Sequence, residues 1–155
     1  MITAAQIKEL REKTGISVAL CKKALEESKG DIAKALKILS RESEALADKK
    51  SGRELNAGAL DVYLHTAKNI AVLVDLRSET DFVSKNEAFT SLAHDLAIHI
   101  AASSPSSVEE LMEQNYVTDP ALKIRDLIRG AVQKFGENIR IARFTRYSLS
   151  DSISG

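Results

Sequence analysis

Residues 59–77 read ALDVYLHTAKNIAVLVDLR, and this stretch decides the fold. Over 59–66, Leu60, Val62 and Leu64 fall on alternate positions, the period-2 pattern of a strand with one apolar face. Over 70–77 the chain is apolar on both faces, with Ile70, Val72, Val74 and Leu76 on one side and Ala71 and Leu73 on the other. The polar stretch Ala67-Lys68-Asn69 between them can close a hairpin. Upstream of Gly58 the apolar residues instead follow the helical period. The change of period predicts an α+β chain, with helices first and a small sheet behind them.

Working back towards the N-terminus, the first forty residues are punctuated by helix caps. Thr3 and Gln6 can form a capping box, and the face begun by Ile7 and Leu10 stops at Gly15. Ser17 can cap a second helix, with Val18, Cys21 and Leu25 at helical spacing, ending at Gly30. Asp31 can cap a third, in which Ile32, Ala35, Leu36 and Leu39 recur at i, i+3, i+4 and i+7. Three helices of this kind make a compact bundle, close to the lower size limit for folding alone. Residues 41–57 lack a sustained apolar face and read as a polar linker, with helical propensity at the start and a break near Ser51-Gly52.

Downstream of the hairpin, Ser84 and Glu87 suggest a second capping box, with Phe89, Leu92, Leu96 and Ile100 lining a core face. The SSPSS stretch at 103–107 ends that helix, and SVEELMEQ suggests a short one. Asp119-Pro120 predicts another helix start, because Asp caps and Pro at the first helical position gives up no needed donor. Ile124, Leu127, Ile128, Ala131, Val132 and Phe135 continue its face up to Gly136, and NIRIARFTRYSL, 138–149, reads as a last strand. The expected domains are a helical bundle at 1–40, a linker at 41–57, an α+β core at 58–149 and a tail at 150–155.

Composition narrows the function classes. The 155 residues carry 22 Lys+Arg and 22 Asp+Glu, so bulk charge favours neither nucleic acid nor an anionic membrane. Charge is unevenly placed, since residues 75–119 hold 9 acidic and 2 basic groups while 120–147 hold 2 and 7. An acidic block in mid-chain does not suit a nucleic-acid footprint. The single cysteine, Cys21, rules out an internal disulfide and reads as a small core residue. No stretch has the length of a membrane span and the N-terminus lacks a signal-peptide core, so a soluble, cytoplasmic protein is expected.

No catalytic constellation is visible. His65, His94 and His99 lack ligand spacing, no phosphate-binding glycine loop follows a strand, and pairs such as Glu26-Glu27 and Glu109-Glu110 read as solvated helix faces. No metal site, cofactor or enzymatic reaction is expected. Phe82, in SETDFVSKNEAF at 78–89, is the residue that local rules leave without a task. With Ser84 as cap, Val83 occupies a staple position against Ala88. Phe82 then has two readings: a core residue beneath the hairpin, which local pattern favours, or an apolar wedge beside Asp81.

Three stretches carry a family resemblance. LREKTGISVALCKKALEESKGDIAKALKIL (10–39) resembles the ubiquitin-associated-type helical domain of the elongation factor Ts family. DLRSETDFVSKNEAF (75–89) contains the TDFV hallmark of that family, and KFGENIRIARFTRY (134–147) is similar to the strand closing its core domain. The resemblance implies a three-helix ubiquitin-associated-like bundle followed by a core with a three-stranded antiparallel sheet and packed helices. It implies binding to elongation factor Tu carrying GDP, with Thr80, Asp81, Phe82 and Val83 inserted near the magnesium site of the GTPase domain. Arg11, the segment Val18, Ala19, Leu20, Cys21 and Lys22, and the turn Phe135-Gly136 would supply further contacts.

The sequence departs from the family pattern at several points. Val18, Ala19 and Leu20 stand where the family usually has two Met residues and an Asp, and Asp75 and Arg77 replace a usual Glu and Asn. A helical segment of family members is missing between about Ser104 and Leu111, as are the second core repeat and helical hairpin of long members. The chain thus resembles the short members, which dimerise. With only three strands and two substantial helices to cover a sheet apolar on both faces, a homodimer is also expected from the pattern itself. The reading is a guanine-nucleotide exchange factor; a ubiquitin-associated-like adaptor without exchange activity is the alternative.

Overall fold

The computed structural model describes residues 1–153. It is α+β, with seven helices and one three-stranded antiparallel sheet among the described residues. Two compact units divide it: Met1–Gly52 with Asp126–Glu137, and Arg53–Arg125 with the chain from Asn138 onwards.

The helical unit begins with α1 (Ala4–Thr14), α2 (Val18–Glu27) and α3 (Ile32–Lys50). The three sequence-read caps form: Gln6 N–H donates to Thr3 Oγ1 with the reciprocal capping-box bond, Leu20 N–H to Ser17 Oγ, and Lys34 N–H to Asp31 Oδ1. Each cap satisfies an orphan backbone donor, a contribution of about 1 kcal/mol. Leu10, Ile16, Cys21, Ala24, Leu25, Ala35 and Leu39 form the core. The third helix does not stop at residue 40. It continues to Lys50, because residues 41–50 are good helix formers and Ser43 and Glu44 have partners on a later helix, α7 (Ile124–Phe135). Ser43 Oγ donates to Gln133 Oε1, and Arg129 lies 3.5 Å from Glu44.

In the second unit β1 (Ala57–Leu64) and β2 (Ile70–Ser78) form the expected hairpin, and β3 (Arg140–Ser148) pairs with the other edge of β2. The helix α5 (Glu87–Ser103) packs on one face of the sheet. Val72, Val74 and Leu76 are buried on that side, and so are Phe89, Leu96 and Ile100 of α5. A bulge at Ala142 lies between the pairs Leu76–Ile141 and Asp75–Arg143. Gly58 is required where it stands, since a Cβ there would lie 2.6 Å from the Leu76 carbonyl oxygen.

Two expected helix starts are corrected. Ser84 is not a cap: it ends a single turn, α4 (Asp81–Ser84), and α5 starts anew at Glu87 under Asn86, whose Oδ1 accepts from Ala88 N–H at 2.9 Å. Asn86 draws that donor to its own side chain and so separates the two helices. Val83 consequently is not a staple, although it is buried. Asp119-Pro120 builds a turn rather than a helix, with Ala121 and Leu122 amides donating to the Asp119 side chain and carbonyl. Asn115 bridges Lys123, and α7 begins only at Ile124. The short helix expected after SSPSS is α6 (Val108–Glu113).

Opposite the helix, the sheet is open and apolar. Leu60, Val62, Leu64 and Leu73 are exposed there together with Tyr147, with Leu60 at 65% and Tyr147 at 72%. Towards the other end of that face Asp75 is almost fully buried between Arg77, which donates at 2.6 and 3.0 Å, and Arg143, at 3.1 Å. The Arg77 hydrogen bond, against the cost of burial, holds the Asp75 carboxyl below its usual value.

Candidate partner-binding site

The chain leaves β2 at Ser78, which is fully buried and donates its hydroxyl to the Thr80 carbonyl at 3.0 Å. Thr80 has extended backbone and caps α4, its Oγ1 accepting from Val83 N–H. Ser84 N–H and Lys85 N–H then close the turn on the carbonyls of Thr80 and Asp81. A single turn of helix sends consecutive pairs of side chains to opposite sides. Val83 and Ser84 are each only 4% exposed, whereas Asp81 is exposed and Phe82 is 86% exposed.

The core reading of Phe82, which local pattern favours, is overturned: the side chain projects from the turn into solvent. A Phe side chain gains about 1.5–3 kcal/mol when fully buried, and that gain is forgone here. Its backbone is held by two buried neighbours and a side-chain cap, so the ring is presented on an ordered support rather than on a slack loop. The turn displays an apolar ring beside a carboxylate, with little ordering left to cost in any contact made there.

The other sequence-singled residues lie in the helical unit. Arg11, Val18, Ala19 and Lys22 are exposed, and Leu20 is partly buried against the core. Cys21 is fully buried and its Sγ lies 3.6 Å from the Ile16 carbonyl oxygen, so its side chain supports this surface from beneath. Phe135 is half-buried with the Lys134 ammonium 5.7 Å from its ring centre. Gly136 follows with φ of 71°, a left-handed conformation suited to glycine, and its carbonyl accepts from Lys50 Nζ at 2.9 Å. Thr80, Asp81, Phe82 and Val83 belong to the sheet unit, and the remaining candidates to the helical unit.

Two of the three histidines, His99 and His94, have partners distant in sequence. Val117 N–H donates to His99 Nδ1, so the fully buried ring is neutral and carries its proton on Nε2 towards Gln114 Oε1. Burial pushes this imidazole below its usual 6.5. His94 pairs with Asp61 at 2.8 Å. Among the described residues no group of three or more His, Cys, Asp or Glu could hold a metal ion, and no helix is long and apolar enough to cross a membrane.

Sequence reasoning missed the polar contacts around Glu79. Its Oε2 accepts from Asn138 N–H at 2.7 Å and lies 3.8 Å from Arg53, while Asn138 Nδ2 donates to the Arg53 carbonyl. The only signal was the position of Glu79 beside the TDFV stretch, and nothing local pairs it with a residue 59 positions away.

Residues 79–155 match the family described as Elongation factor TS. The elongation factor Ts of Herpetosiphon aurantiacus is 35% identical over 196 aligned positions, covering 97% of this chain and 99% of the relative. That of Thermodesulfovibrio yellowstonii is 37% identical, covering 97% and 98%. The alignment of 196 positions against a chain of 155 residues means that the Herpetosiphon relative contains residues without counterparts here. The elongation factor Ts of Clostridium acetobutylicum is 43% identical over 148 positions, covering 96% of this chain but 48% of the relative. Matched in this way along almost the whole of itself and of two relatives, the chain belongs to the elongation factor Ts family.

Proposed function

We propose that this chain is a guanine-nucleotide exchange factor in translation, which binds elongation factor Tu carrying GDP and promotes GDP release by dislodging Mg2+. The observation that carries this reading is Phe82, 86% exposed beside Asp81 on a capped turn whose next two residues are buried. Membership of the elongation factor Ts family supports the choice of partner. The mechanism is coupling rather than covalent chemistry: the chain is not an enzyme and needs no cofactor. Mg2+ neutralises phosphate charge in a nucleotide site, so a group that displaces its ligands weakens GDP binding. By linkage GDP must weaken the factor's binding by the same factor.

In this reading Asp81 and Phe82, framed by Thr80 and Val83, form the wedge. The helical bundle of residues 1–40 supplies affinity for the same GTPase domain through Arg11, Val18, Ala19, Leu20 and Lys22, with Cys21 beneath. Phe135-Gly136 add a contact. The core of residues 58–149 carries the wedge, and the protein acts in the cytoplasm without direct nucleic-acid contact. Titration of this chain into nucleotide-free and GDP-loaded elongation factor Tu tests the proposal. Binding should be at least about tenfold tighter to the nucleotide-free form, about 1.4 kcal/mol of coupling. Equal affinities would leave an adaptor without exchange activity.

We further propose a homodimer formed through the open sheet face. Leu60, Val62, Leu64, Leu73 and Tyr147 are exposed together on it, and an apolar sheet face of this kind is normally covered. Stacking two copies about a two-fold axis covers it.

A further inference from the structure

The β2–β3 backbone pairing ends at Arg77–Arg140, yet the chain is held together for one step more. Asn138, two residues before β3 and 3% exposed, donates its backbone N–H to the Glu79 carboxylate at 2.7 Å. A side chain here takes the place of the missing ladder acceptor, and the hydrogen bond is charge-assisted. Asn138 turns its own Nδ2 to the Arg53 carbonyl at 2.8 Å, and the Arg53 guanidinium lies 3.8 Å from the same Glu79 oxygen. Glu79 is thus fastened to two segments distant in sequence, immediately before the turn that presents Asp81 and Phe82.

Resting on the exchange-factor reading above, we propose that Glu79 is a positioning residue, with Asn138 as its anchor, that sets the direction in which Phe82 enters the partner. Val83 and Ser84 hold α4 to the core from its C-terminal side. Those two side chains secure one end of the turn. Glu79 and the buried Ser78 fix the other end, so the wedge has supports before and behind it. Arg53 and Asn138 are also the first residues of the sheet unit after the chain arrives from the helical unit. A misplacement of about 1 Å can cost as much as about 10²-fold in rate, which is why such a support matters to function.

The test compares Glu79→Ala, Glu79→Asp and Glu79→Gln with Phe82→Ala in the full chain, measuring stimulated GDP release against factor concentration. Glu79→Asp keeps the charge but withdraws it by one methylene; Glu79→Gln keeps the reach and an acceptor oxygen. Glu79→Ala and Glu79→Asp should lower the maximal rate per folded molecule by about tenfold while leaving the half-saturating concentration within about twofold. Glu79→Gln should recover most of the rate, and Phe82→Ala combined with Glu79→Ala should be no slower than Phe82→Ala alone. Amide exchange in Glu79→Asp should quicken at Val83–Lys85 while β1 and β2 stay protected, a readout that needs no partner. An unchanged maximal rate in Glu79→Asp, with Phe82→Ala impaired, overturns the positioning role and leaves the wedge. If Phe82→Ala exchanges normally, the wedge itself is wrong and the positioning role falls with it.

Discussion

Substituting Phe82 and its neighbour Val83 separates use against a partner from use in the core. Phe82 keeps 86% of its surface exposed, so about one-seventh is covered. Scaling the ~1.5–3 kcal/mol of a fully buried side chain by that fraction gives about 0.2–0.4 kcal/mol for Phe82→Ala, a melting shift of about 1–2 °C at most. Val83 is 4% exposed, and Val83→Ala removes two buried methyl-sized groups. At about 0.8 kcal/mol each plus the residual cavity, the cost is about 2 kcal/mol, or a fall of about 4–8 °C. The assays are thermal melting of each variant and GDP release from elongation factor Tu at equal folded concentration. Phe82→Ala should melt like the parent yet lose most of the stimulated release, whereas Val83→Ala should melt early and, where folded, still exchange. Asp81→Ala should behave like Phe82→Ala, with its defect shrinking once magnesium is chelated. A Phe82→Ala chain destabilised by about 3 kcal/mol or more that exchanges normally would make Phe82 a core residue and refute the reasoning.

Val18→Asp, on the exposed first turn of α2, should raise the half-saturating concentration for release by about three- to tenfold with the maximal rate unchanged, since it weakens binding without touching the wedge. His99 is held below its usual 6.5 by burial, so the unfolded chain binds the proton first as pH falls. Stability should therefore be full above about pH 6.5 and decline below it, and urea midpoints measured across that range should flatten in a folded His99→Gln variant. The carboxyl of Asp75 is depressed mainly by its Arg77 hydrogen bond, so its contribution should persist down to about its ordinary 3.8 and vanish below that, a limb that Asp75→Asn should lack. Val62→Glu should leave the sheet intact but give a sedimenting mass of about 16.9 kDa where the parent sediments as twice that; a parent that is itself monomeric at micromolar concentration would remove the proposed dimer.

The parts of the fold legible in the sequence were those governed by local rules. The caps at Thr3, Ser17 and Asp31 could be read because each side chain satisfies a donor within three residues. The hairpin could be read because the apolar period changes at Gly58. Residues with two locally adequate uses are ambiguous in sequence: Ser84 and Asp119 both have cap chemistry, but Asn86 takes the first helix start and a turn joined to the Asn115–Lys123 bridge takes the second. The continuation of α3 to Lys50 depends on Ser43 meeting Gln133, 90 residues away, and no local pattern carries that. Phe82 stands out in the sequence as unexplained, but whether it points in or out depends on Val83 and Ser84 taking the buried side of a separate turn that ends before α5.

The central claim is that this chain accelerates loss of GDP from elongation factor Tu through the Asp81-Phe82 turn. The most direct measurement follows release of a fluorescent GDP from purified elongation factor Tu at millimolar magnesium, with excess unlabelled nucleotide and increasing amounts of this chain. The account predicts a release rate that rises with chain concentration to a plateau, and a Phe82→Ala chain that binds but leaves the rate near its unassisted value. A release rate unchanged by the parent chain at saturating concentration would contradict it.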